Sequence, residues 1–170
     1  MRAAAVVVMI AIAATLVWAN WPEAPLPANV VAEKLVVEKS ARRLSVIAGG
    51  QTLKTYRVSL GKHPIGAKER EGDGRTPEGR YFIDLRKDKT CCYRSLEISY
   101  PSGEDRKRAR AQGVQPGGLI MVHGLGRGFG WLGKIHRYVD WTDGCVAVTN
   151  REMTELWRAV PVGTPIELRP

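Results

Sequence analysis

The residues of this chain best suited to chemistry are one cysteine, Cys145, and one histidine, His123. Cys145 directly follows Gly144, and His123 ends an apolar run just before Gly124. A thiol becomes an effective nucleophile when a neighbouring base takes its proton. A glycine before the cysteine lets the chain approach a substrate carbonyl, and an attacking sulfur also needs backbone N–H groups that can hold an oxyanion. We therefore predict an enzyme in which Cys145 attacks and His123 is the base.

Two other histidines are alternative bases, and both Cys145 and His123 also have a non-catalytic interpretation. His136 lies in the connection between His123 and Cys145, and His63 precedes Pro64 in a polar loop. A cysteine after a glycine is more often a packing residue than a nucleophile. A lone histidine is more often a hydrogen-bonded polar residue than a base. Residue types and spacing alone thus leave an enzyme and a protein with an inert thiol about equally open.

Short strands joined by turns are predicted to position these side chains. Alternating apolar residues and turn residues predict strands over 34–39, 42–48, 52–60, 80–85, 93–100, 118–123, 145–148 and 164–168. Helices are predicted over 102–112, with Ser102 as N-cap, and over 151–160, after a cap at Thr149 or Asn150. Strands outnumber helices, so we predict a mainly β fold with a largely antiparallel sheet and one or two short helices. The loop 61–79, rich in glycine and proline, is long enough to be functional or disordered.

The first residues predict export. Residues 1–19 join a basic start, Met1-Arg2, to an uncharged run rich in alanine and valine, which is typical of a signal peptide. Val17 and Ala19 are small enough to precede a cleavage site at Asn20, and we favour cleavage there. The alternative is an uncleaved membrane anchor, since the run is only slightly shorter than a bilayer span. Both interpretations predict a periplasmic or secreted domain, in contact with a membrane only if the segment is retained.

We predict that residues 20–170 form one tether and one domain. Residues 20–30 contain three of the chain's prolines and predict a stiff tether, and residues 31–170 are long enough for a single core. The net charge of +9 favours anionic cell-wall polymers or lipid head groups over nucleic acid, because basic residues alternate with acidic ones. The three cysteines are an odd count, so at least one is not in an intramolecular disulfide. Cys91 and Cys92 are predicted to be small residues, buried or half-buried.

The segment from His123 to Val148 resembles the signature of the L,D-transpeptidase catalytic domain family, also called YkuD-like. That signature is a His-Gly pair, a connection, and then Ser or Thr, any residue, Gly, Cys and an apolar residue. The chain carries these at His123, Gly124, Thr142, Asp143, Gly144, Cys145 and Val146. The segments 76–82 and 162–166 are similar to the family as well, and the resemblance covers about residues 32–170.

The resemblance implies a β-sandwich or barrel and a reaction on peptidoglycan stem peptides. Cys145 would form a thioester with the third stem residue and release the terminal D-alanine, and an amine would then resolve the thioester. His123 would be base and then acid, with its other ring nitrogen held by a backbone carbonyl. The amides of Gly144 and Cys145, with that of Asp143 as a third candidate, would form the oxyanion hole. No metal or organic cofactor is implied. The expected roles are cell-wall biogenesis or degradation and cell shape, with stem peptides, a lipoprotein or a D-amino acid as candidate acceptors.

Two departures from the family pattern bear on substrate binding. Many members carry histidine at the position of Asp143, and many carry arginine or asparagine at the position of Ala147. A carboxylate beside a thiol opposes thiolate formation unless a cation pairs with it, and Arg137 and His136 are the candidate cations. We assign the substrate carboxylate to Arg137, because its guanidinium suits a carboxylate. An ordinary surface charge is an equally good interpretation of that arginine.

Further residues are expected to line the substrate site. The predicted substrate-binding residues are Arg137, Asp143, Thr142, His136 and Gly124. Trp131 and Trp141 flank the connection between the histidine and the cysteine, where they would shape a groove or pack in the core. Two other functions remain in competition with transfer. Water could resolve the same acyl-enzyme, which would make the protein an amidase or carboxypeptidase, or the domain could be a non-catalytic peptidoglycan-binding module.

Overall fold

A computed structural model describes residues 2–90, 92–126 and 128–170. The prediction for Cys91 lies outside the described residues, and Cys92 is half-buried. The strands are β1 (Lys34–Glu38), β2 (Arg43–Ala48), β3 (Gln51–Arg57), β4 (Gly79–Thr90), β5 (Tyr93–Ile98), β6 (Met121–His123), β7 (Val146–Ala147) and β8 (Pro165–Arg169). The helices are α1 (Arg2–Asn20), α2 (Gly103–Ala111) and α3 (Asn150–Ala159), with a 3₁₀ segment over Gly130–Tyr138.

The described strands form one eight-stranded mixed sheet in the order β3-β2-β1-β8-β4-β5-β6-β7. Most neighbours are antiparallel, whereas β1 with β8 and β6 with β7 are parallel. The two ends of the sheet meet, because the backbone of Ser59, just beyond β3, exchanges two hydrogen bonds with Ala147 in β7. The predicted mainly β, mostly antiparallel fold with few helices is therefore confirmed. The parallel pairing of β6 with β7 was not predicted, and it lies at the candidate site.

The core lies between the curved sheet and α3. Leu35 and Val37 of β1 and Leu44 and Val46 of β2 point inward, as their alternation predicts. From α3, Met153 and Leu156 are completely buried against them. Each such side chain contributes on the order of 2 kcal/mol by burial.

The N-terminus of α3 is defined by a capping box at Thr149. Its hydroxyl accepts a hydrogen bond from the amide of Glu152, and the Glu152 carboxylate accepts one from the amide of Thr149. Of the two caps that the sequence left open, the structure therefore selects Thr149. Asn150 becomes the first helical residue and its side chain is available for another task.

Loop 61–78 is ordered by two buried lysines. The ammonium of Lys39 donates to the carbonyl oxygen of Thr76 at 2.9 Å and to the carboxylate of Glu78 at 2.8 Å. Lys68 pairs with Asp73 at 2.7 Å, and both side chains are nearly inaccessible to water. The sequence left open whether this loop is functional or disordered, and in the structure it is ordered.

The N-terminal part of the chain packs on the domain. The described residues contain one helix that is long and apolar enough to cross a membrane, α1, and most of its surface is exposed. Within the predicted tether, Leu26 is buried, its amide donates to Glu155 at 3.1 Å, and Arg158 donates to its carbonyl oxygen at 2.9 Å. Residues 20–30 therefore lie against α3.

Candidate active site

The parallel pair β6–β7 brings His123 close to the segment that carries Cys145. His123 is in register with Ala147, and their neighbours Val122 and Val146 both point into the core. Cys145 directly precedes β7, so it lies next to the strand that pairs with His123.

The thiol of Cys145 lies at the surface, beside an irregular backbone segment. Cys145 is half-buried, and its Sγ approaches the carbonyl oxygen of Leu119 at 3.7 Å. Gly144 before it has a φ of +132°, which favours glycine. A Cβ on Gly144 would also lie 2.6 Å from the carbonyl oxygen of Arg75. Any other residue before Cys145 would thus displace the backbone that carries the thiol.

The hydroxyl of Thr142 holds the turn that leads to the cysteine. It donates to the carbonyl oxygen of Cys145 at 2.8 Å and accepts from the amide of Gly144 at 3.1 Å. Thr142 is buried, and its own amide donates to the carbonyl oxygen of Leu60 at 3.1 Å. Its observed contacts are with the protein backbone, although substrate binding was predicted for it. The amide of Gly144, predicted to hold an oxyanion, is likewise engaged by this hydroxyl.

The imidazole of His123 is buried and oriented by the next residue. Its Nδ1 donates to the carbonyl oxygen of Gly124 at 2.6 Å, so Nε2 is the basic nitrogen in this tautomer. The predicted orientation by a backbone carbonyl is thus present in the structure. Burial lowers the pKa of His123 below its ordinary value of 6.5, and the hydrogen bond to Gly124 partly opposes this shift. The ring is therefore neutral, as a base must be, down to a pH below that value.

Trp141 and His136 cover this histidine. The indole of Trp141 packs edge-on against the ring of His123 and against that of His136, with centroid distances of 5.8 Å and 6.4 Å. The Nδ1 atom of His136 lies 3.1 Å from the hydroxyl of Ser59, which is completely buried. Of the two tryptophans predicted to flank the site, Trp141 contacts the histidines. Trp131 lies on the 3₁₀ segment beside α1.

His136 is not the cation that was considered for Asp143. Burial lowers its pKa to about 4, and the nearby Arg137 and His123 add to the effect, so the ring is neutral at physiological pH. The partner of Asp143 is instead Lys62, at 2.7 Å, and the Asp143 side chain is 85% exposed. The hydrogen bond from Lys62 lowers the pKa of the Asp143 carboxyl group. Sequence reasoning missed Lys62 because it lies across the fold in the 61–78 loop.

Arg137 is not positioned as an unpaired carboxylate receptor. Its guanidinium forms an ion pair with Glu152, the same residue that completes the capping box of α3, and lies 3.9 Å from Glu23. Its side chain is largely buried by these neighbours. Arg137 therefore does not pair with Asp143, and its guanidinium is already occupied by Glu152. The role of Arg137 in holding substrate stays a prediction that would require this ion pair to open.

Asn150 is a residue of the site that sequence reasoning did not select for this role. Its Oδ1 accepts from the amide of Leu125 at 2.7 Å. A Cβ on Gly124 would lie 2.6 Å from that oxygen, and one on Gly130 would lie 2.8 Å from Nδ2. The carboxamide thus binds the start of the loop that follows His123 and lies close to Gly130 at its end. The glycines at 124 and 130 were the available signal, because they permit this close approach.

Ala147 occupies the position where many family members carry a long polar side chain. It is completely buried between His123 and Ser59, its partners on the two adjacent strands. On either side of it, His136 lies against Ser59 and Trp141 packs on His123.

Comparison with known proteins gives one consistent family. The family model described as "L,D-transpeptidase catalytic domain" (YkuD) matches residues 32–168. A Bacillus subtilis (strain 168) protein named "Putative L,D-transpeptidase YqjB" is 27% identical over 152 residues, which cover 86% of this chain and 76% of that protein. The Escherichia coli (strain K12) protein named "Putative L,D-transpeptidase YafK" is 28% identical over 113 residues, 65% of this chain and 38% of that protein.

Solved structures share the fold at low sequence identity. An L,D-transpeptidase from Xylanimonas cellulosilytica superposes with a TM-score of 0.52 at 18% identity, covering 86% of this chain and 65% of that one. The helical cell shape determining protein Pgp2 from Campylobacter jejuni superposes with a TM-score of 0.62 at 19% identity, covering 91% and 54%. The chain thus spans about half to two thirds of these structures.

Proposed function

The chain belongs to the L,D-transpeptidase catalytic domain (YkuD) family, and from this membership we propose that it is an exported acyltransferase with Cys145 as its nucleophile. The donor is a peptidoglycan stem peptide that ends in D-alanine, and the acceptor is an amine. The observation that supports the proposal is the pairing of β6 with β7, in which His123 is in register with Ala147, two residues after Cys145. The thiol there is accessible from solvent.

In the acylation half of the reaction, Nε2 of His123 takes the thiol proton as Sγ of Cys145 attacks the carbonyl carbon of the third stem residue. The tetrahedral intermediate collapses when its bond to the D-alanine nitrogen breaks. The protonated His123 gives its proton to that nitrogen, and D-alanine leaves with a thioester on Cys145. The hydrogen bond from Nδ1 to Gly124 supports this role, because it keeps Nε2 as the proton acceptor.

In the second half, the acceptor amine attacks the thioester carbonyl while His123 takes the amine proton. The new amide bond forms, the C–S bond breaks, and the histidine returns a proton to the sulfur. Overall, one peptide bond is exchanged for another and D-alanine is released. No oxidant, reductant or cofactor is needed for this balance.

The test is to incubate the purified chain with a muropeptide that carries a tetrapeptide stem. Intact-protein mass spectrometry should detect an adduct of the donor minus D-alanine, and peptide mapping should assign it to Cys145. A cross-linked muropeptide dimer in the product supports transfer. The same adduct with only a muropeptide monomer that has lost D-alanine would show that water, and not an amine, resolves the thioester. If the protein binds cell wall but forms no adduct, although Cys145 still reacts with iodoacetamide, the domain is a binding module and not an enzyme. Cys145→Ser is the matched control for the adduct.

A further inference from the structure

The 3₁₀ segment and helix α1 together form an apolar surface outside the catalytic site. Side chains of both elements line one open groove: Val8, Ile12 and Leu16 from α1, and Trp131, Leu132 and Ile135 from the 3₁₀ segment. Trp131 is 57% exposed there although it is the largest of these side chains. Exposed apolar surface on this scale is typical of an interaction site.

Helix α1 has the properties of a bilayer span. Its 19 residues give a length of about 28 Å, close to the roughly 30 Å of a hydrocarbon core. Its one charged residue is Arg2, at the start, which predicts a cytoplasmic N-terminus and an external domain. Val8, Ile12 and most other apolar residues of α1 are exposed in the isolated molecule, and Leu16 is half-buried. Lipid is the environment that such a surface fits.

The end of α1 is seated on the 3₁₀ segment by specific contacts. The side-chain amide of Asn20 donates to the carbonyl oxygen of Trp131 at 2.9 Å, and Lys134 pairs with Glu23 at 2.7 Å. At Gly133, φ is +47°, and a Cβ there would collide with the carbonyl oxygen of Ala19, which is buried. The glycine kink therefore accommodates the helix end, and cleavage before Asn20 would remove this contact.

Aromatic side chains surround the same end of α1. Trp18 and Tyr138 line one cleft with Lys134, whose ammonium lies 5.9 Å from the Trp18 ring. Trp18 is 49% and Tyr138 is 76% exposed. Tryptophan and tyrosine are enriched at the level of lipid head groups, where an apolar ring with a polar atom is stable. Trp18 and Tyr138 thus lie at the end of α1, where a bilayer around this helix would end.

We propose that α1 is retained as a membrane anchor and that Trp131, Leu132 and Ile135 contact the outer leaflet of the bilayer beside it. The occupant of the apolar groove is therefore lipid. The 3₁₀ segment ends at Tyr138, three residues before Trp141, which packs on His123. The same short segment thus touches the bilayer on one side and the active site on the other, so the site is held at a constant height above the membrane. The proposal does not depend on the reaction assigned to Cys145.

The test is quenching of tryptophan fluorescence by bromine atoms on lipid acyl chains. The full-length chain is reconstituted into vesicles of phosphatidylcholine and phosphatidylglycerol, with and without brominated phosphatidylcholine. Three variants each retain a single tryptophan, at position 18, 131 or 157, with phenylalanine at the others. We expect Trp131 to lose emission to the same extent as Trp18. Trp157, on α3 and stacked on Arg86, should keep its emission.

A second measurement guards against misfolding of multiply substituted chains. The difference in quenching between the wild type and Trp131→Phe isolates the contribution of Trp131 with one conservative change. If Trp18 is quenched and Trp131 is not, the lipid-contact surface is refuted. Quenching of Trp131 that disappears at high protein-to-lipid ratio would mean that a second copy covers the groove, which also refutes it. Intact mass of the membrane-extracted protein tests retention, and loss of residues 1–19 would overturn the anchor.

Discussion

The indole of Trp141 packs edge-on against the imidazole of His123, with ring centroids 5.8 Å apart and ring planes at 74°. The contact shields one side of the histidine from water, and the hydrogen bond to Gly124 restrains its rotation. Burial of this kind disfavours the charged imidazolium and keeps the ring neutral. Trp141 is thus a positioning residue for the proposed base.

Replacing Trp141 should alter both the rate and its pH dependence. In Trp141→Ala, water reaches the ring of His123, so its pKa rises towards 6.5 and the acid limb of kcat/KM moves to higher pH. The freed ring should also lower kcat/KM by about 10–100-fold. Trp141→Phe retains the edge contact and should keep the acid limb of the wild type. An unchanged acid limb in Trp141→Ala would contradict the shielding role.

Substitution of the proposed nucleophile and base should separate their roles. Cys145→Ser should abolish turnover and the covalent adduct, because a hydroxyl is a much weaker nucleophile beside the same base. His123→Ala should slow turnover by about 10²–10⁴-fold, the usual contribution of a general base. Both are measured by release of D-alanine from a tetrapeptide-stem muropeptide. Normal turnover in either variant would reassign that role, with His63→Ala as a control substitution of the exposed histidine.

Acid should destabilise the protein through His136. Its pKa is about 4 in the folded protein and about 6.5 when unfolded, so the unfolded chain binds a proton that the folded protein does not. The stabilisation is complete above pH 6.5 and is lost as the pH falls towards 4, by about 3 kcal/mol at most. Urea unfolding at a series of pH values measures this slope.

His136→Gln provides the matched comparison for that slope. The amide does not titrate and can still hydrogen-bond to Ser59, so the free energy of unfolding should depend less on pH between 4 and 6.5. Equal slopes in the two proteins would assign the acid sensitivity to other groups. His123 shifts in the same direction and remains in both proteins, so the difference reports His136.

The hydroxyl of Thr142 should matter for the loop of the nucleophile. Thr142→Val keeps the shape but leaves the carbonyl oxygen of Cys145 and the amide of Gly144 without this buried partner. We expect a loss of about 1–3 kcal/mol in the free energy of unfolding, with slower thioester formation. Thr142→Ser retains the hydroxyl and should lose less in both measurements. If Thr142→Val has the stability and the rate of thioester formation of the wild type, the Thr142 hydroxyl does not hold this loop in place.

Asn150 should support His123 through the following loop. Asn150→Ala removes the acceptor for the amide of Leu125 and should cost about 1–3 kcal/mol in stability and lower kcat/KM. Asn150→Asp keeps an oxygen at that position and is the matched variant, in which this hydrogen bond should persist. Chemical unfolding and kinetics on the same muropeptide measure the two effects. Loss of stability in Asn150→Ala without any loss of activity would limit Asn150 to a structural role.

Much of the fold could be predicted from local patterns. Alternation in the predicted strand 42–48 put Leu44 and Val46 on one face, and helical spacing grouped Met153 with Leu156. All four side chains lie in the core. Ser102 was recognised as a cap from its type and position, and a capping box is present there. These predictions succeeded because each depends on residues only a few positions apart. Strand pairing between distant segments, such as β1 with β8, has no comparable local signal.

The partners of the charged site residues were the main errors. Arg137 and His136 were candidates to pair with Asp143 because they are near it in sequence. The structure pairs Asp143 with Lys62 instead, and Arg137 with Glu152. Proximity in sequence is a poor guide here, since side chains in a loop are oriented by the strands that the loop joins. Closure of the sheet near Ser59 and Ala147 brings the 61–78 loop to the cysteine.

The sequence by itself determined which residues have suitable chemistry: a thiol after a glycine, a histidine at the end of a strand, and an apolar first segment. Only the tertiary structure decided that β6 pairs with β7, which brings His123 beside the segment of Cys145, and that Trp141 packs on His123. It also decided that the end of α1 contacts the 3₁₀ segment. The physical reason is that residue type and periodicity act locally, whereas these contacts arise when strand order and sheet closure bring distant backbone segments together.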